Sequence, residues 1–107
     1  QALVVWNDPQ FHEAAQALAR RVAGADARTS DDAERVRWLW RQCLLREPSA
    51  SERGRLLELL REERRHFAAE PAAATALAGD TADAAELAAW TVLVGVVINL
   101  DEFLTRR

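Results

Sequence analysis

Along most of the chain, apolar residues return every three or four positions. That is the period of a helix with one buried face, not the alternation of a strand. Phe11, Ala14, Ala15, Leu18 and Val22 form the first such stripe. Asn7-Asp8-Pro9 stands before it, with Asp8 suited to the N-cap and Pro9 to the first helical position. Arg20 and Arg21 suit the last turns, and Gly24 suits the stop. The apolar residues 2–6 are either a short strand or the final turns of an earlier helix, and the helix is favoured. After a small, polar linker at residues 25–30, Asp31 with Glu34 makes a start resembling a capping box. Val36, Leu39, Trp40, Cys43 and Leu44 follow as a second stripe, with Trp38 off it and Pro48 as the predicted end.

Ser49 and Glu52 form a second capping box immediately after that proline. Leu56, Leu57, Leu60 and Phe67 continue one face, widened by Leu59. Arg53, Arg55, Glu58, Arg61, Glu62 and Arg65 make the opposite face, spaced for ion pairs along the helix. Glu70-Pro71 closes this element. Residues 72–82, mostly alanine, suit either a short helix or a mobile loop. A last helix starts near residues 81–83, and Leu87, Trp90, Leu93, Val94, Val97 and Ile98 leave it little polar surface. Such a helix is expected to be central and covered on several sides. Its β-branched residues Thr91, Val92, Val94, Val96, Val97 and Ile98 also suit a strand, but the flanking Ala-Glu-Leu-Ala-Ala favours helix. The predicted fold is all-α: a four-helix, antiparallel bundle-like single domain over residues 1–107, with the last helix central and buried.

Composition narrows the function classes. With 107 residues, 50% of them hydrophobic and 29% charged, the chain has the size and balance of one globular domain that needs no staple. The net charge of −3 argues against bulk attraction to nucleic acid, and Arg61, Arg64 and Arg65 make only a small basic patch. All 14 basic residues are arginine, which removes lysine-based Schiff-base and P-loop chemistry. A single cysteine forms neither an internal disulfide nor a cysteine metal site. The longest apolar run, residues 87–98, is bracketed by Glu86 and Asn99 and falls short of the roughly 20 residues that span a bilayer. The chain opens at Gln1 in mid-pattern, which reads as a domain cut from a larger protein.

Candidate chemistry is sparse. Glu62 and His66 share a helix face at i, i+4, better read as an ion pair than as metal ligands, and His12 lies beside Glu13. Cys43 lies on an apolar stripe and reads as core. The four glycines are scattered singly and build no phosphate loop. Asn99, Asp101 and Glu102 gather at the end of the last helix, where they bond orphan backbone groups or edge a polar site; Arg106 or Arg46 are candidate partners. Four tryptophans, Trp6, Trp38, Trp40 and Trp90, are many for so small a domain. Trp38, off its stripe, is the candidate for an interface.

Three segments, in this order, carry a resemblance. The first is Gln1-Ala2-Leu3 with Asn7-Asp8-Pro9-Gln10-Phe11 and Ala17-Leu18-Ala19-Arg20-Arg21. The second is Arg35-Val36 with Leu44-Leu45-Arg46-Glu47-Pro48-Ser49 and Glu52. The third is Trp90 with Val97-Ile98-Asn99-Leu100-Asp101-Glu102-Phe103-Leu104. Together they resemble the C-terminal part of the planctomycete-type secreted domain also called domain of unknown function 1553. Leu45 stands where that family often has glycine, Glu47 where it often has proline, and Leu100-Asp101 where it has Ser-Asn. The resemblance implies a bacterial, periplasmic or secreted protein, often with a cytochrome c domain far upstream. It carries no activity residue by residue.

The expected function is a non-catalytic helical structural and interaction module at the C-terminal end of a larger extracytoplasmic protein. Its partners would be other domains of that protein, with no cofactor, no nucleic acid and no membrane span. The alternative is part of a hydrolase or cytochrome c-linked redox enzyme, with Asn99, Asp101 and Glu102 at the edge of its site.

Overall fold

The structure, a computed structural model, describes the backbone of residues 9–24, 31–44 and 46–105, and within these the side chains of residues 12–99. The predicted Asp8 cap, Trp6, residues 2–6 and the linker at 25–30 lie outside the described residues. Among the described residues there are five helices, not four: α1 (Pro9–Ala23), α2 (Asp32–Cys43), α3 (Ala50–Ala69), α4 (Pro71–Ala78) and α5 (Ala84–Thr105). No strand occurs among the described residues.

The fifth helix is α4. Pro71 has no N–H and its ring crowds the carbonyl one turn back, so α3 cannot continue through it. Proline is, however, well placed at the first position of a new helix. Glu70 (φ −127°, ψ 73°) is accordingly both the end of α3 and the start of α4. The alanines favour helix, and Gly79 ends it at φ +94°, donating its N–H to the Thr75 carbonyl at 2.8 Å.

Two further boundaries carry lessons. α2 stops at Cys43, not at Pro48. Leu44 turns extended (φ −126°, ψ 153°) and is buried, as is Pro48, so the connection to α3 itself contributes to the core. At the start of α2, Asp31 caps as expected by accepting from the Ala33 N–H at 3.1 Å, while Glu34 pairs with Arg37 at 3.6 Å. At α3 the capping box is complete: Ser49 Oγ accepts from the Glu52 N–H at 3.1 Å, and Glu52 Oε1 accepts from the Ser49 N–H at 2.8 Å.

The last helix is the axis of the fold. α5 packs against each of the other four helices. Ala88, Ala89, Trp90, Leu93, Val94 and Val97 are fully buried, and Ile98 is half-buried against them. Thr91 is also buried; its hydroxyl donates to the Leu87 carbonyl at 2.7 Å, which satisfies a polar atom inside the core. Around α5 lie Ala15, Ala19 and Val22 of α1, Val36, Leu39 and Trp40 of α2, Leu56, Leu60 and Phe67 of α3, and Ala74 and Ala78 of α4. Cys43 is half-buried at the edge of this core, more open than its stripe predicted, because α2 ends at that residue.

Candidate functional site

Polar side chains converge at two places, and both are struts between helices. The first is centred on Arg64 of α3. Its Nη1 and Nη2 donate to Asp32 of α2 at 2.6 and 3.0 Å, and its Nε and Nη2 donate to Glu86 of α5 at 2.9 and 2.6 Å. Glu86 Oε2 also accepts the indole N–H of Trp90 at 2.9 Å. The planar guanidinium fork thus holds two carboxylates from two other helices, a geometry a lysine could not reproduce. Arg64 keeps Asp32 below the usual carboxylate range. Burial pushes Glu86 up, but Arg64 and the Trp90 N–H outweigh it and hold that carboxyl low as well. The two acids in turn raise the Arg64 pKa further above its ordinary value. A cleft of about 340 Å³ lies alongside, lined by Arg64, Ala82, Asp83, Ala85 and Glu86.

The ion pairs foreseen along α3 do not form among the described residues, where α3's contacts reach instead to Asp32, Glu86 and Arg46. A run of alternating charges on one helix carries no signal for this, since the partners are 32 and 22 residues away.

The second convergence is the corner between α2 and α3. Arg46 donates from Nη1 and Nη2 to the two Glu52 oxygens at 2.9 Å each, and from Nη1 to the Glu47 carbonyl at 3.2 Å. Its guanidinium carbon lies 5.0 Å from the centre of the Trp40 ring. Glu47 accepts from Arg37 Nε at 2.8 Å and has Arg41 Nε at 3.3 Å. With Arg46 and the Ser49 N–H both on its carboxylate, Glu52 is held down to about 2. Arg37, with help from Arg41 and Arg53, likewise lowers Glu47. A cleft of about 280 Å³ opens beside this cluster, lined by Arg41, Leu44, Arg46 and Glu47. The fully buried Trp40 indole N–H finds no acceptor among the described residues.

Of the residues singled out in the sequence, Trp38 and Asn99 have described side chains, and each has its own neighbours. Trp38 is half-buried against the core, with the Arg21 guanidinium 5.3 Å from its ring centre. Asn99, half-buried near the other end of α5, donates from Nδ2 to the Gly95 carbonyl at 3.2 Å, one turn back in its own helix. Asp101 and Glu102 belong to α5, but their side chains lie outside the described residues. Arg46, one of their candidate partners, is bound to Glu52. His12 Nε2 lies 3.2 Å from the Leu77 carbonyl, which also accepts from Gln16 Nε2, so two α1 side chains tie down α4. His66 is exposed and meets the Phe67 ring edge-on. Among the described residues, no group of three or more His, Cys, Asp or Glu side chains is disposed to hold a metal. Nor is any helix of the described residues long and apolar enough to cross a membrane.

The fold and these struts define an all-helical domain gathered around a buried final helix. The chain belongs to the family described as protein of unknown function (DUF1553), whose PSD1 model matches residues 1–60. The matched stretch holds α1, α2 and the first half of α3, so it includes the Arg46–Glu52 corner but not Arg64, Glu86 or Trp90. No curated protein and no solved structure matches the chain.

Proposed function

We propose that this domain is a non-catalytic helical module, placed at the C-terminal end of a larger extracytoplasmic protein and packed against that protein's other domains. One observation carries the reading. Half-buried polar side chains of the described core hold helices together, as Arg64 does by binding Asp32 and Glu86, and Gln16 by donating to Leu77. Catalytic groups are the reverse: they converge on a cavity with donors or lone pairs open to a substrate. The extracytoplasmic setting rests on the family resemblance of the Asn7-Asp8-Pro9 and Arg46-Glu47-Pro48-Ser49 segments.

Trp38 is the residue with which this reading is tested, since it is only half-buried against the core. The chain should co-purify with the remainder of its parent protein when the two are produced as separate polypeptides. Trp38→Ala should weaken that assembly while the isolated chain stays folded. Failure of the wild-type pieces to associate would sink the proposal. A catalytic activity of the parent that disappears on Asn99→Ala, with assembly intact, would favour the enzymatic alternative.

A further inference from the structure

We propose that the corner between α2 and α3 is a docking point for an acidic peptide segment of the surrounding protein, an inference that rests on the module reading above. Arg37, Arg41, Arg46 and Arg53 collect there around Glu34, Glu47 and Glu52, so four cations face three carboxylates on a chain whose net charge is −3. Two of the four are engaged: Arg46 grips both oxygens of Glu52, and Arg37 grips Glu47. The other two hold donors in reserve. Arg41 has its Nε 3.3 Å from Glu47, and its side chain is 58% exposed. Its two Nη groups have no acceptor among the described residues. Arg53 makes no ion pair there, although it is close enough for its charge to act on Glu47.

The cleft of about 280 Å³ beside Arg41 has Leu44 and Glu47 among its described lining residues. A glutamate or aspartate side chain entering it would lay its methylene groups on the leucine and present its carboxylate to the open Arg41 fork. A second carboxylate a few residues away would meet Arg53. Inorganic phosphate suits the cleft less well, because it has no methylene groups to lay on Leu44.

The test is calorimetric titration of the chain with a hexaglutamate peptide at low ionic strength. Saturable binding that weakens with added salt is expected. The double variant Arg41→Gln, Arg53→Gln should bind about tenfold more weakly, as expected for the loss of two solvent-accessible charge contacts. Arg41 is exposed, Arg53 is half-buried and makes no ion pair among the described residues, and glutamine keeps much of the length of each side chain, so its circular dichroism should match that of the parent chain. Arg61→Gln, on the exposed face of α3, should leave the affinity within about twofold, since such a charge acts only over a screened distance. Three outcomes would overturn the proposal: no saturable binding, equal weakening by Arg61→Gln, or inorganic phosphate binding as tightly as the peptide. This experiment uses the chain alone, so its failure leaves the co-purification result untouched. A chain that binds hexaglutamate yet does not associate with its parent would refute only the module reading.

Discussion

Trp90 shows how much one side chain settles in a domain of this size. It is fully buried in α5, and its indole N–H is bonded to Glu86. Trp90→Ala should cost about 3–5 kcal/mol, a large part of the roughly 5–15 kcal/mol available to a small domain. Trp38→Ala, at a half-buried site, should cost clearly less. Thermal denaturation of both variants, followed by circular dichroism, checks the order; equal losses would mean that Trp38 is as much core as Trp90. Arg64 is the polar counterpart. Arg64→Ala would leave Asp32 and Glu86 facing each other without the cation between them. It should cost about 1–3 kcal/mol, more than a simple exposed ion pair contributes. A urea midpoint unchanged from that of the parent chain would show that the two carboxylates find water instead.

At the scale of the element, the helix ends offer cleaner contrasts than the stripes do. Gly54 lies in the exposed interior of α3, and a Cβ there would meet nothing within 4 Å. Gly54→Ala should therefore stabilise the chain by about 0.5–1 kcal/mol, through helix propensity and a less free unfolded state. Gly79 also has open space around it, but its φ of +94° is one that side-chain-bearing residues rarely adopt. Gly79→Ala should lower stability despite the identical chemistry of the change. Opposite shifts in Tm are the expected result; a rise in both would mean that the end of α4 relaxes readily. Ser49→Ala removes one half of the capping box at α3 and should cost about 1 kcal/mol, with Glu52 keeping the other half.

The whole molecule should respond to acid. Asp32, Glu47, Glu52 and Glu86 are all held below their ordinary pKa values by arginine and N–H contacts that exist only in the folded chain. Each binds its proton more readily when unfolded, so the stabilisation is complete above about pH 5 and drains away as pH falls. For Glu52 the loss runs from the ordinary 4.5 down to about 2. Tm should be nearly level near neutrality and decline steadily below about pH 4.5. Glu52→Gln should flatten part of that decline. A Tm independent of pH down to about 3 would show that the clasp and the corner contribute little to folding.

Local pattern alone determined that this chain is helical, where the caps of α2 and α3 fall, and that the last helix is the buried one. Helix period, capping chemistry and apolar excess are all written within a few residues of one another, as Ser49 with Glu52 and Trp90 with Val94 and Val97 illustrate. Even α4 was open to reading, since Pro71 and Gly79 mark its ends, although a weak alanine stripe does not separate a helix from a loop. Only the tertiary structure decided that α2 stops at Cys43 so that Leu44 and Pro48 can be buried, that Arg46 turns to Glu52, and that Arg64 joins Asp32 to Glu86. These depend on which helices lie side by side. An arginine on a charged face looks the same in sequence whether its partner is one turn away or on another helix.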